Sequence, residues 1–119
     1  MTQAYLVARV EDVPEGRHIV VEVRGREIGL FNVRGRYYAL PNVCFHQNGP
    51  LCRGATSGTV VANAETNWQR AWVAEGEIIV CPWHALEYNV TSGQCLAYPR
   101  RRLPMWEVQI EGDQIQVVM

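Results

Sequence analysis

Two short stretches set a cysteine beside a histidine: Cys44-Phe45-His46 and Cys81-Pro82-Trp83-His84. The chain has only four cysteines and three histidines, and 34 residues separate the stretches. Such neighbours suit a metal site or a nucleophile with its base, or they arise by chance. The spacings are C-x-H and C-x2-H, each in a loop between strand-like runs. Two loops at one end of a sheet can face each other and present four ligands to one site. Zinc would accept a tetrahedral set of two thiolates and two imidazoles, but zinc sites usually pair Cys with Cys and His with His. Here each loop mixes the two. That mixing suits a dinuclear iron site in which one iron takes both cysteines and the other both histidines.

The elements that must position these loops are strands and turns. Residues 5–10 (YLVARV), 18–23 (HIVVEV), 26–33 (REIGLFNV) and 36–41 (RYYALP) read as strands. "VRGR" occurs at 23–26 and again at 33–36, and its glycine supplies the positive φ of a tight hairpin turn. Residues 59–63, 77–80 and 86–90 read as further strands, and 105–110 and 114–118 as a final hairpin around Glu111-Gly112-Asp113. Only residues 64–72 (AETNWQRAW) suggest a helix, and a short one. No helical period alternates with strands, so a βαβ architecture is excluded and an antiparallel sandwich or barrel is expected.

"CFHQNGPLCRG" resembles the first cluster loop of the Rieske 2Fe-2S family, which usually reads like C-P-H-x-G-G-P-L-x-x-G. "CPWHALEYNVTSGQCL" resembles the second, usually like C-P-W-H-G-x-x-F-D-x-x-T-G. The lead-in "GREIGLFNVRGRYYALPNVC" and the tail "MWEVQIEGDQIQVV" look like the family's flanking hairpins, so the resemblance covers most of the chain. It implies one 2Fe-2S cluster, with Cys44 and Cys81 on one iron and His46 and His84 on the other. It implies an all-β, Rieske-type antiparallel β-sandwich forming a single domain over residues 1–119. A small cluster-binding subdomain would be built from loops 43–54 and 80–95. The stretch between the loops is about twice the usual length of soluble relatives, so residues 55–76 read as an insertion, an added hairpin or short helix. The implied role is a soluble electron carrier, not an enzyme. It would be the ferredoxin component that passes single electrons from a flavin-dependent reductase to a terminal oxygenase. The alternative is the small subunit of a nitrite-reductase-like or other oxidoreductase complex.

The departures from the pattern bear on tuning. Asn48 and Ala85 stand where the family often has glycine. High-potential respiratory members carry Ser two residues after the second histidine and Tyr four residues after it; here those positions are Leu86 and Tyr88. Their loop disulfide is also missing, since Trp83 replaces its second cysteine and Cys52 lies outside the first position. A low or intermediate potential is expected, because hydrogen bonds to sulfur raise it. Tyr88 reads equally as a sulfur donor or a packed aromatic. Pro82 and Trp83 read as turn-shaping and shielding residues. Arg100, Arg101 and Arg102 lie where the family places a third, Pro-containing loop. They read as a solvated run or as a dock for an acidic partner.

The remaining composition excludes other classes. The chain has 119 residues, 48% hydrophobic and 19% charged, with a formal net charge of −1. That balance offers nothing to nucleic acid. The N-terminus has no signal-peptide pattern and no apolar run reaches the ~20 residues of a membrane helix, so a cytoplasmic location is expected. In a reducing compartment Cys52 and Cys95 read as small apolar residues rather than a disulfide. His18 opens a strand and reads as a surface residue. No dinucleotide fingerprint and no Ser-His-Asp set is present, and no DNA-binding motif supports a sensor.

Overall fold

The structure is a computed structural model that describes residues 2–45, 49–83 and 85–119. Its described residues form nine strands and three short 3-10 turns, with no α-helix. The strands are β1 (Ala4–Arg9), β2 (His18–Val23), β3 (Arg26–Val33), β4 (Arg36–Pro41) and β5 (Thr56–Val61). They continue with β6 (Ala71–Val80), β7 (Glu87–Asn89), β8 (Glu107–Glu111) and β9 (Gln114–Val118). They make three antiparallel sheets of three strands, in the orders β1-β9-β8, β2-β3-β4 and β5-β6-β7.

The middle sheet is buried on both faces, and its sequence shows why. Successive side chains of a strand point to opposite faces. On β3, Ile28 and Leu30 enter one core with Val13, Val23, Ile115 and Val117. Phe31 and Val33 enter a second core with Leu51, Ile79, Tyr88 and Val90. On β4, Ala39 joins the first core and Leu40 the second. One core thus joins the middle sheet to the terminal strands. The other joins it to the β5-β6-β7 sheet and the two candidate loops. Each fully buried aliphatic side chain here contributes ~1.5–3 kcal/mol.

Both tight hairpins expected from "VRGR" are present. Arg24 and Gly25 have φ of 53° and 79°, and Arg34 and Gly35 have φ of 53° and 87°. Two consecutive positive φ values match the right-handed twist of the flanking strands, as type I′ turns do.

The 64–72 stretch departs from the helical reading. It holds a single 3-10 turn, Ala64–Thr66, capped by the Asn63 side chain, which accepts from the Thr66 N–H. The chain then turns through Asn67 and Trp68, both at positive φ, and enters β6. The reading failed because the nine-residue link between the strands, residues 62–70, has the composition of a helix start, while the Val- and Trp-containing flanks pair with each other. Val60 lies opposite Trp72, and Val61 opposite Ala71. The run at 77–80 is therefore the end of a ten-residue strand. Between the two loops the chain thus forms a β5–β6 hairpin.

Candidate metal centre

The first loop leaves β4 at Pro41 and is closed on itself by Asn42. The buried Asn42 side-chain oxygen accepts the Cys52 N–H at 2.6 Å, and the Asn42 N–H donates to Glu27 O at 3.1 Å. Cys44 N–H donates to Gly49 O at 2.8 Å, which draws the loop's two sides together. The 3-10 turn Leu51–Arg53 then leads to Gly54. A Cβ built on Gly54 would lie 1.8 Å from Val80 O, so only glycine lets the loop's end rest on the strand that leads into Cys81.

The second loop closes just as tightly. Cys81 N–H donates to Leu86 O and Ala85 N–H to Cys81 O, both at 2.9 Å. Ala85 sits at φ 58°, the left-handed region that explains why glycine is usual there. Gly49 brings the two loops into contact. A Cβ added to it would meet Cys81 Sγ at 3.0 Å and the Trp83 ring at 3.2 Å.

Cys44 and Cys81 are both buried and share one core cluster with Tyr88, Leu51 and Cys95. Tyr88 is on β7, opposite Ile79, and its Oη lies 3.0 Å from Cys44 Sγ. The Phe45 N–H donates to the same Oη at 3.3 Å. The Phe45 N–H occupies one lone pair of the phenol oxygen, and the hydroxyl and the Cys44 sulfur share a hydrogen bond in which either atom can donate. Burial first, and then the Cys44 thiol, push the Tyr88 ionisation well above the ordinary tyrosine range. The Tyr88 phenol therefore keeps its proton. The hydroxyl contacts sulfur and the ring packs in the core, so Tyr88 has features of both readings.

The other tuning positions fall differently. Leu86 is half-buried and packs on the same core, with no side-chain donor to offer. Trp83 covers Gly49 with one edge and is 57% exposed, while Pro82 is exposed. His46, Asn48 and His84 lie outside the described residues.

Sequence reasoning missed Asn42, whose loop-closing role had no signal beyond its place after Pro41. It also missed Phe45. That ring stands edge-on to Tyr88 (5.9 Å) and to Tyr98 (5.7 Å), and the Arg101 guanidinium rests 4.8 Å from its centroid. The third loop is thereby seated against the first.

Cys52 and Cys95 are buried and form no disulfide. Burial pushes the Cys52 thiol up to about 12, so it stays an inert apolar group. His18 is half-buried rather than a surface residue. It stacks on Phe31 at 4.7 Å, and its Nε2–H donates to Cys52 O at 2.9 Å. Burial holds its pKa below the ordinary histidine value, against the opposing pull of the backbone hydrogen bonds to Cys52 and Gly54.

Residues 3–109 match the Rieske 2Fe-2S domain, and the chain belongs to that family. Membership brings one Rieske-type 2Fe-2S cluster and an electron-transfer role. The chain is 30% identical over 121 residues to the ferredoxin component of the naphthalene 1,2-dioxygenase/salicylate 5-hydroxylase systems of Ralstonia sp, covering 100% of this chain and 99% of that one. The ferredoxin of carbazole 1,9a-dioxygenase from Nocardioides aromaticivorans IC177 has the same fold, with a TM-score of 0.71, 24% identity and 97% and 96% of the two chains covered. A nitrite reductase NADPH small-subunit structure also shares it, with a TM-score of 0.69, 19% identity and 97% of each chain covered. Among the described residues, no helix is long and apolar enough to cross a membrane.

The residues present fit the cluster. Two buried cysteines from two closed loops share one core, and the Tyr88 phenol, its ionisation pushed up by burial, is hydrogen-bonded to one sulfur. A thiolate in such a place is stabilised by that charge-assisted bond.

Proposed function

We propose that this protein is the ferredoxin component of an aromatic-ring oxygenase system, carrying single electrons from a flavin-dependent reductase to a terminal oxygenase. Cys44 and Cys81 would hold one iron of its cluster, and His46 and His84 the other. Loops 43–54 and 80–95 would form the cluster-binding part of the single domain, with 55–76 as its added arm. The observation that carries this reading is the Tyr88 hydroxyl bonded to Cys44 Sγ at 3.0 Å, in a core that also contains Cys81. The full-length similarity to an oxygenase ferredoxin component supports it.

When bound, the cluster accepts and releases one electron per cycle. The chain's own residues set how readily this happens. Tyr88 donates to the Cys44 sulfur and favours the more negative, reduced state. Leu86 supplies no hydroxyl, so one donor of high-potential members is missing. The potential should therefore lie below that of respiratory Rieske proteins. The surrounding apolar side chains, Leu51, Val90 and Leu103 among them, keep water from the sulfur side.

The test is reconstitution. The purified red-brown protein should take up one electron per chain. It should then restore turnover to a ring-hydroxylating oxygenase mixed with an NADH-dependent flavin reductase. Failure to cycle one electron, or a potential equal to that of respiratory proteins, would overturn the reading.

A second reading, a fixed subunit of a larger oxidoreductase, draws on one observation. The β5–β6 arm carries Val60, Trp68 and Trp72, which are 54%, 72% and 57% exposed. Val60 and Trp72 are cross-strand partners and share a face. Purification as a stable monomer favours the carrier; aggregation without a co-expressed partner favours the subunit.

A further inference from the structure

We infer that the loop at 98–102 is a docking rim for an acidic face on a redox partner, with Arg101 at its centre. This rests on the electron-carrier reading above and names the chemistry of its partner.

Arg100, Arg101 and Arg102 are consecutive and exposed. Among the described residues none of the three has an acidic partner, whereas Arg9, Arg34 and Arg53 are each paired. Three cations crowded together repel one another, so a default solvated run has reason to splay. Here the backbone holds them in one arrangement. Arg101 N–H donates to Tyr98 O at 2.8 Å, and Cys95 N–H to Arg101 O at 3.0 Å. Leu103 N–H donates to Gly93 O at 2.8 Å, and the Gln94 side chain to Pro99 O at 2.9 Å. Gly93, at φ 79°, has no room for a Cβ, which would lie 2.5 Å from Leu103 O. A cationic loop fixed in advance loses less entropy when a partner binds.

The loop's position ties it to electron exit. The Arg101 guanidinium lies 4.8 Å from the Phe45 ring centroid, within cation–π range. Phe45 stands between Cys44 and His46 in the chain. Tyr98 of this loop is 55% exposed and stands edge-on to Phe45, and Trp83, beside Gly49 of the first loop, is 57% exposed. Tyr, Trp and Arg are the residue types that anchor interfaces. The chain as a whole is slightly acidic, at −1. An acidic partner therefore gains nothing from the bulk charge and is oriented by this local cationic edge, which brings it to the cluster loops.

The experiment uses the cluster-loaded protein and two anionic probes. Calorimetric titration with poly-L-glutamate reads binding without electron transfer. Stopped-flow oxidation of the reduced protein by ferricyanide reads steering. One variant carries Arg100→Glu, Arg101→Glu and Arg102→Glu. A control carries Arg17→Glu, Arg24→Glu and Arg36→Glu, three exposed positions elsewhere on the fold. Each reversal removes two units, so both variants move the formal charge from −1 to about −7. At low ionic strength the loop variant should lose about tenfold or more in both readouts, a difference that fades with salt. The control should lose about threefold or less. Equal losses in the two variants would assign the effect to net charge and overturn the rim. So would no loss in the loop variant, or capture of the protein by phosphatidylglycerol vesicles without binding of poly-L-glutamate. A protein that binds poly-L-glutamate through this loop but cycles no electron would refute the carrier reading and leave the binding surface standing.

Discussion

Replacing Tyr88 with Phe removes one oxygen from a buried core and leaves the ring in place. The hydroxyl sits 3.0 Å from Cys44 Sγ and also accepts the Phe45 N–H at 3.3 Å. A hydrogen bond to a charged acceptor contributes ~1.5–3 kcal/mol. Adding an electron makes the sulfur a stronger acceptor, and about half of that energy, ~0.8–1.5 kcal/mol, is a reasonable difference between oxidation states. For a one-electron couple a tenfold change in equilibrium is 59 mV, so the potential should fall by roughly 30–60 mV. The orphaned Phe45 N–H should also lower stability by ~1–2 kcal/mol. The potential is read by film voltammetry or by dithionite titration followed by circular dichroism. The two effects have separate origins, so a loss of stability alone is not enough. A potential unchanged within about 10 mV, or one that rises, would refute the claim that Tyr88 donates to a cluster sulfur.

Other perturbations test the loops and the fold. Ala85→Gly relieves a left-handed backbone at φ 58° and should raise stability by ~1 kcal/mol in denaturant unfolding of the loaded protein. Gly54→Ala forces a Cβ to 1.8 Å from Val80 O, so this variant should lose its visible absorption or fail to accumulate as folded protein. His18 has a folded pKa held down by burial. Its contribution to stability is present above the unfolded value of ~6.5 and is lost as pH falls through the lower folded value. Unfolding followed from pH 8 to 5 should show that loss, and His18→Gln should flatten that part of the profile.

Much of this fold is legible in residue order because the relevant forces are local. Apolar, β-rich runs mark β3 and β4, and "VRGR" marks both hairpin turns, since glycine's tolerance of positive φ is a property of one residue. The 64–72 stretch was not legible. Its polar link resembles a helix start, and what decides its form is the pairing of Val60 with Trp72 across that link. The site divides in the same way. Cys44 and Cys81 stand out by motif, and Tyr88 by its distance from His84 in the chain. Phe45 does not, because its contacts with Tyr98 and Arg101 join segments some fifty residues apart. Asn42 closes the first loop through a side chain whose partner, Cys52, carries no sequence mark of that role. The glycine preference after the second motif becomes a matter of backbone geometry once Ala85 is seen at positive φ.

The ligand assignment is tested most directly by electron paramagnetic resonance of the dithionite-reduced protein grown with 15N-histidine. Two histidines on one iron should give two nitrogen couplings that change with the label, and an average g below that of an all-cysteine 2Fe-2S site. His84→Ala should abolish the normal signal. An all-cysteine-like spectrum without histidine couplings, or an unaltered cluster in His84→Ala, would contradict the account.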